Sequence, residues 1–293
     1  MSNITAQMVK ELRDRTGAGM MECKKALIES KGDMDIAVEA MRKAGQAKAD
    51  KKSSRIAAEG IISFSMKDSS LANMIEVNCE TDFVAKDENF LKFVKYISQA
   101  SLEGYKGNLD QFSNYKDSSG KTIEEIRLEL VSKVGENVKI RRIKSIQNDN
   151  GFIGNYLHGS KIGVVVTLEK ENNELAKDVC MHIAAMKPLA LNSSDISEEI
   201  LEKEREIFKA QAQESGKPEE IINKMVEGKM KKYISEVTLL DQAFVKDNDL
   251  TIKDLLKKHN NNILFFYRME VGEGIEKKDE NFADEVMSQI NKL

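Results

Sequence analysis

Two prolines, Pro188 and Pro218, are the only ones in 293 residues, and this scarcity constrains the fold more than any other feature. Proline removes a backbone donor and breaks helix interiors. A chain almost free of it, lacking Trp and rich in Lys, Glu, Met and Ala, favours long helices over a loop-rich β architecture. The length exceeds what one small core needs and implies two or more packed units. With 41% hydrophobic and 32% charged residues, most of the chain is expected to bury a core.

The first fifty residues read as three short helices, with Ile4, Met8, Val9 and Leu12 on one face, then Cys23, Ala26 and Leu27, then Ile36, Ala37, Ala40 and Met41. Thr16-Gly17-Ala18-Gly19 breaks the first, and Gly32-Asp33 supplies a turn and an N-cap for the third. From Arg42 to Arg55 the periodicity fades, and Arg42, Lys43, Lys48, Lys51, Lys52 and Arg55 surround the single Asp50. This stretch reads as a linker, with a phosphate-contacting arm as the alternative.

Gly60 to Ser65 and Met74 to Asn78 then read as two strands of a hairpin joined by Lys67-Asp68-Ser69-Ser70. Helices follow around Phe90, Phe93, Val94 and Ile97 and from Ile123 to Val134, then a strand holding Val138, Ile140 and Ile143. Between them, Gly104 to Gly120 reads as a polar surface excursion. The pattern returns with Gly151-Phe152-Ile153, the turn His158-Gly159-Ser160-Lys161, a strand from Ile162 to Leu168 and a helix holding Leu175, Val179 and Ile183. Ala176-Lys177-Asp178 echoes Ala85-Lys86-Asp87, so a duplicated core competes with chance reuse of a common unit.

Two charged helices flank Ser215-Gly216-Lys217-Pro218, with Ile196, Ile200 and Ile207 expected to face Ile222, Val226, Met230 and Tyr233. Such a hairpin is either a contact arm or an inert protrusion. A strand is expected near Val237 to Leu240, a helix near Ile252 to His259, a strand from Ile263 to Met269, and a last helix holding Phe282, Val286 and Ile290.

Catalytic signals are absent. Gly17-Ala18-Gly19 before Lys24-Lys25 lacks phosphate-loop spacing and follows a helix, and the common dinucleotide, zinc-protease and hydrolase motifs do not occur. His158, His182 and His259 are scattered, and Cys23, Cys79 and Cys180 read as buried thiols of a reducing compartment. No enzyme, cofactor or metal site is expected. The net charge of -4, from 45 basic and 49 acidic residues, gives no field for nucleic acid. No run approaches the roughly 18 apolar residues that cross a bilayer, so a cytoplasmic location is expected.

Two stretches are more specific. Leu12-Arg13-Asp14-Arg15-Thr16-Gly17-Ala18-Gly19-Met20-Met21-Glu22-Cys23-Lys24-Lys25-Ala26-Leu27 and Glu76-Val77-Asn78-Cys79-Glu80-Thr81-Asp82-Phe83-Val84-Ala85 closely resemble the elongation factor Ts family. Further likeness at His158-Gly159, His182-Ile183-Ala184-Ala185, Ser215-Gly216-Lys217-Pro218 and Val271-Gly272-Glu273-Gly274-Ile275-Glu276-Lys277 extends it over nearly the whole chain.

The resemblance implies an α+β protein with a ubiquitin-associated-like three-helix module and a two-part core, in agreement with the divisions read from the residues. These are the module at 1–45, a linker at 46–57, and a core expected to be duplicated with antiparallel sheets at 58–146, then 147–194 with 235–271. A protruding antiparallel coiled-coil hairpin (195–234) and a C-terminal helical module (272–293) complete it. The implied function is non-catalytic guanine-nucleotide exchange on elongation factor Tu, bound in its GDP form and nucleotide-free, with magnesium dislodged and GDP released so that GTP can bind. Thr81, Asp82, Phe83 and Val84 carry over as the magnesium-dislodging segment, and Arg13, Met20, Met21 and His158 as further partner contacts. A homodimer through the hairpin or core stays open. Without the resemblance, Phe83 beside an apolar helix reads as a core residue. Two other functions compete: RNA or ribosome binding through the basic stretch, and an adaptor role for the three-helix module.

Overall fold

The computed structural model describes residues 4–67, 70–118, 120–148 and 151–276. The chain runs α1 (Ala6–Thr16), α2 (Met20–Glu29), α3 (Met34–Lys52), β1 (Glu59–Lys67), β2 (Leu71–Cys79), α4 (Asp82–Ala85), α5 (Glu88–Gly104), α6 (Leu109–Ser113), α7 (Ile123–Val134) and β3 (Lys139–Gln147). It continues through β4 (Phe152–His158), β5 (Ile162–Leu168), α8 (Asn173–Met186), α9 (Glu198–Gln213), α10 (Glu219–Val237), β6 (Ala243–Phe244), β7 (Asp247–Thr251), α11 (Ile252–Lys258) and β8 (Ile263–Glu270). Helices mixed with small sheets make it α+β. Its contacts divide it into two units. One takes the described residues up to Ser65, Asn73–Lys144 and those from Glu270 onward; the other takes Met66–Ala72 and Ser145–Met269.

In the first unit, α1 to α3 bury Val9, Leu12, Cys23, Ala26, Leu27 and Ala37 together. Their ends follow local chemistry. Gly17 closes α1 in the left-handed conformation, φ 67°, and donates its N–H to the Arg13 carbonyl. The Asp33 carboxylate caps α3 by accepting from the Asp35 and Ile36 amides at 3.0 and 2.9 Å. Ile36 and Ala40, expected to be inward, are exposed, while Met34, Val38 and Met41 pack on the cluster instead.

The expected linker is helical over its first half, because α3 continues to Lys52. Its Ala, Lys and Gln residues are strong helix formers. Ala49 also enters the main core of the unit, which supplies the packing that a solvated tether lacks.

That core lies between the sheet β1-β2-β3 and the helices α5 and α7. Ile75, Val77 and Cys79 of β2 meet Phe90, Phe93, Val94 and Ile97 of α5 and Leu130 and Val131 of α7. Each fully buried large side chain contributes about 1.5–3 kcal/mol. The stretch 104–120 is more than a surface excursion: α6 inserts Phe112, fully buried between Tyr105 and Tyr115. One aromatic among Asn, Asp and Ser gives no periodicity to detect.

A buried carboxylate fastens the turn after β8 to this sheet. Glu76 accepts from Arg141 at 3.0 Å, Asn78 at 3.1 Å, Arg142, and the Gly272 amide at 2.7 Å. Burial pushes the Glu76 carboxyl up, but these donors outweigh it and hold it below the usual glutamate range. Gly272 has φ +73°, and a Cβ there would stand 2.4 Å from the Ala58 carbonyl, so only glycine fits.

The second unit places α8 on the sheet β4-β5-β8. β4 and β5 pair antiparallel from Phe152↔Leu168 to His158↔Ile162. Val164, Val166 and Leu168 pack against Leu175, Val179 and Ile183. Cys180 and His182 are both fully buried, and all three cysteines are buried outside any disulfide.

α9 and α10 pack on each other through Ala212, Ile222, Val226 and Met230, with Leu201 and Phe208 completing the seam. Ile200 and Ile207, expected in that seam, are 40% and 42% exposed. The expected strand near Val237–Leu240 is also absent: α10 runs to Val237, and a 3-10 turn spans Leu239–Asp241. The terminal helix expected around Phe282, Val286 and Ile290 lies outside the described residues.

Candidate functional site

β2 ends at Cys79, and within three residues the chain turns into the four-residue helix α4. One helical turn cannot hold itself in water, because nucleation fixes several residues for one hydrogen bond. Neighbours supply the missing support. Thr81, extended at φ -123° and ψ 158°, is the N-cap, and its hydroxyl accepts from the Val84 amide at 3.4 Å. That hydroxyl and the Thr81 amide both donate to the Glu136 carboxylate, at 2.7 and 3.0 Å. At the far end, the Asp87 carboxylate caps α5 by accepting from the Asn89 and Phe90 amides. Burial pushes the Asp87 carboxyl up, but those donors together outweigh it and hold it below its usual value.

The inner side of the turn is packed: Ala85 is buried and Val84 leans on the core. Its outer side is not. Asp82 pairs with Lys86 at 2.7 Å along the exposed surface. Phe83 is 81% exposed, the most exposed large apolar side chain among the described residues. Without the family resemblance the residues favour a core Phe here; the structure exposes it, as the resemblance leads one to expect. The packed positions are Val84 and Ala85, and Phe83 precedes them on the opposite side of a single turn.

Arg13, Met20 and Met21 gather at the elbow between α1 and α2. Arg13 is exposed, and Met20 and Met21 are 46% and 76% exposed. Flexible thioethers in water suit an adaptable contact. A cleft of about 390 Å³ separates Asp14–Gly17 of this elbow from Asn89, Phe93 and Lys133 on α5 and α7. The elbow thus lies beside the helix into which the Phe83 turn leads. His158 belongs to the second unit, exposed at the end of β4, where its Nδ1 lies 3.0 Å from the Tyr156 hydroxyl.

Sequence reasoning missed Glu80, Glu136 and Asn137. Glu136 reaches Thr81 across 55 positions, and Glu80 accepts from the Asn137 amide at 2.6 Å across 57. Nothing local to Gly135-Glu136-Asn137 signals such a role beyond a polar exit from a helix.

Among the described residues, no cluster of three His, Cys, Asp or Glu side chains could hold a metal ion. No helix among them is long and apolar enough to cross a membrane.

The family model described as elongation factor TS matches residues 80–273. The elongation factor Ts of Legionella pneumophila (strain Paris) is 53% identical over 291 residues, covering 99% of both chains. That of Thioalkalivibrio sulfidiphilus is 55% identical over 288 residues, covering 98% of both. That of Francisella tularensis subsp. novicida is 51% identical over 290 residues, covering 99% of both. With two-thirds of its residues inside the family model and half of them shared with relatives along their full length, this chain belongs to the elongation factor Ts family.

Proposed function

We propose that this chain is a non-catalytic guanine-nucleotide exchange factor that binds elongation factor Tu in its GDP form and drives GDP release. The observation that carries this reading is Phe83, held in solvent on a turn whose base is fully tied down. Leaving a Phe in water forgoes about 1.5–3 kcal/mol of burial. A partner pocket recovers it, and the ordered backbone means little entropy is lost on docking.

In this reading Phe83 and Asp82 wedge into the GTPase beside the elements that hold magnesium and the β-phosphate. Metal coordination weakens first, and GDP follows. Linkage bounds the effect: the factor weakens nucleotide by as much as nucleotide weakens the factor. Each tenfold requires about 1.4 kcal/mol, so one Phe accounts for about one to two decades. Arg13, Met20, Met21 and His158 act as further contacts that hold the partner in its open form.

The test uses the purified GTPase loaded with fluorescent GDP. Added chain should accelerate GDP release, and excess GDP should dissociate the factor from its partner. Release at the spontaneous rate, whatever the amount of chain added, overturns the reading.

A further inference from the structure

We propose that Glu136 is a positioning residue for the Phe83 turn, acting through Thr81 to hold the wedge in its docking orientation. The inference rests on the exchange-factor reading and adds to it a residue 53 positions away from Phe83 in sequence.

The Thr81 hydroxyl has a single proton. It gives that proton to Glu136 Oε1 at 2.7 Å while accepting from the Val84 amide at 3.4 Å. The chain Val84 N–H to Thr81 O–H to carboxylate is polarised in one direction, and the charged end strengthens the cap. Glu136 Oε2 takes the Thr81 amide at 3.0 Å, so one carboxylate sets both the backbone and the side chain of the capping residue.

The bond is answered in the opposite direction. Glu80 Oε1 accepts from the Asn137 amide at 2.6 Å, so adjacent residues of the two segments exchange carboxylate–amide contacts. The segment carrying Glu136 is itself fixed from a third side. The Asn137 side-chain amide donates to the Ser53 and Arg55 carbonyls at 3.3 and 2.9 Å, and Lys52 donates to the Gly135 carbonyl at 2.6 Å. Residues 135–137 are therefore a braced platform, and Glu136 is its link to the wedge.

Without that carboxylate the four-residue helix keeps its packing through Val84 and Ala85 but loses the bonds that fix its entry angle. Phe83 then samples several directions, and the loss falls on the step that needs one direction. Binding through the rest of the surface is untouched. Site geometry held by a supporting layer behaves in this way.

The experiment measures stimulated release of fluorescent GDP by stopped flow for wild type, Glu136→Gln, Thr81→Val and the double variant. Gln keeps the shape of Glu but offers one acceptor where the carboxylate offers two. The maximal rate should fall about tenfold, the scale of one charge-assisted hydrogen bond, with the half-saturating concentration changed less than about twofold. Because Glu136 acts through Thr81, the double variant should be no slower than the worse single variant.

An unchanged rate overturns the proposal, as do additive effects or a parallel loss of rate, affinity and melting temperature. Amide exchange at Thr81 and Val84, followed by NMR without the partner, decides the clamp by itself: protection lost in Glu136→Gln supports it, and protection unchanged overturns it. A wild-type chain that does not accelerate release sinks the exchange reading and the role assigned to the clamp, whatever the amide result.

Discussion

Each unit of the molecule contains a three-stranded sheet whose central strand leads into a core helix, and the two connections differ in what they leave in water. In the second unit, the link from β5 to α8 is polar and closed on itself. The Glu169 amide donates to the Asn262 carbonyl at 2.9 Å, Lys170 and Asn261 exchange two bonds near 3.0 and 2.9 Å, and Asn172 caps α8. Its exposed residues, Glu169, Lys170 and Glu171, are charged. In the first unit, the link from β2 to α5 is braced as firmly yet presents Phe83. A braced connection needs no exposed aromatic, and this supports the proposed docking of Phe83 on a partner.

The largest expected effect lies in what the two connections share. Ala85 and Ala176 are 4% and 1% exposed where each chain enters its helix. Ala85→Glu and Ala176→Glu should each destabilise by about 3 kcal/mol or more, since an unpaired buried carboxylate has no compensating partner. Urea midpoints measure it. A tolerated Ala85→Glu would mean that the Phe83 turn is not anchored.

Acid should separate the units by pH. In the second, the Val245 amide donates to His182 Nδ1 at 3.2 Å, which leaves the proton on Nε2 to donate to Gln242 at 2.9 Å. Burial lowers the His182 pKa, only partly opposed by the Gln242 bond, so the unfolded chain binds the proton more readily. Stability from this site is present above the unfolded value, about 6.5, and is lost as pH falls through the folded one. Glu76 in the first unit is also depressed, and its contribution is lost only as pH falls below about 4.3, the unfolded glutamate value. Amides of α8 should therefore lose exchange protection at higher pH than amides of β2, and simultaneous loss would break the comparison.

Removing the caps has a smaller effect. Asp87→Ala and Asn172→Ala each remove an N-cap bond and should cost about 1 kcal/mol, read as lowered melting temperatures. Equal losses would show that the two connections are equally ordered and differ only in Phe83.

The sequence made some of this legible and hid the rest for physical reasons. The ends of the first helices are readable because Gly17 and Asp33 act through neighbours within a few positions. The seam of α9 was misread because two stripes, Ile200 with Ile207 and Leu201 with Phe208, lie one residue apart and fit the same repeat. Only packing against α10 selects the second. The helical continuation to Lys52 depends on Ala49 reaching a core built from residues far along the chain. The Thr81–Val84 segment was found through the family resemblance, whereas its brace was invisible because Glu136 belongs to another element.

In the proposed function Phe83 has no internal task and acts only on a partner. Phe83→Ala should leave the melting temperature nearly unchanged, within about 0.5 kcal/mol, as expected of an exposed side chain away from other features. In stopped flow with fluorescent GDP, the variant should still bind the GTPase but accelerate release at least about tenfold less than wild type. A release trace indistinguishable from wild type would rule out the wedge role of Phe83.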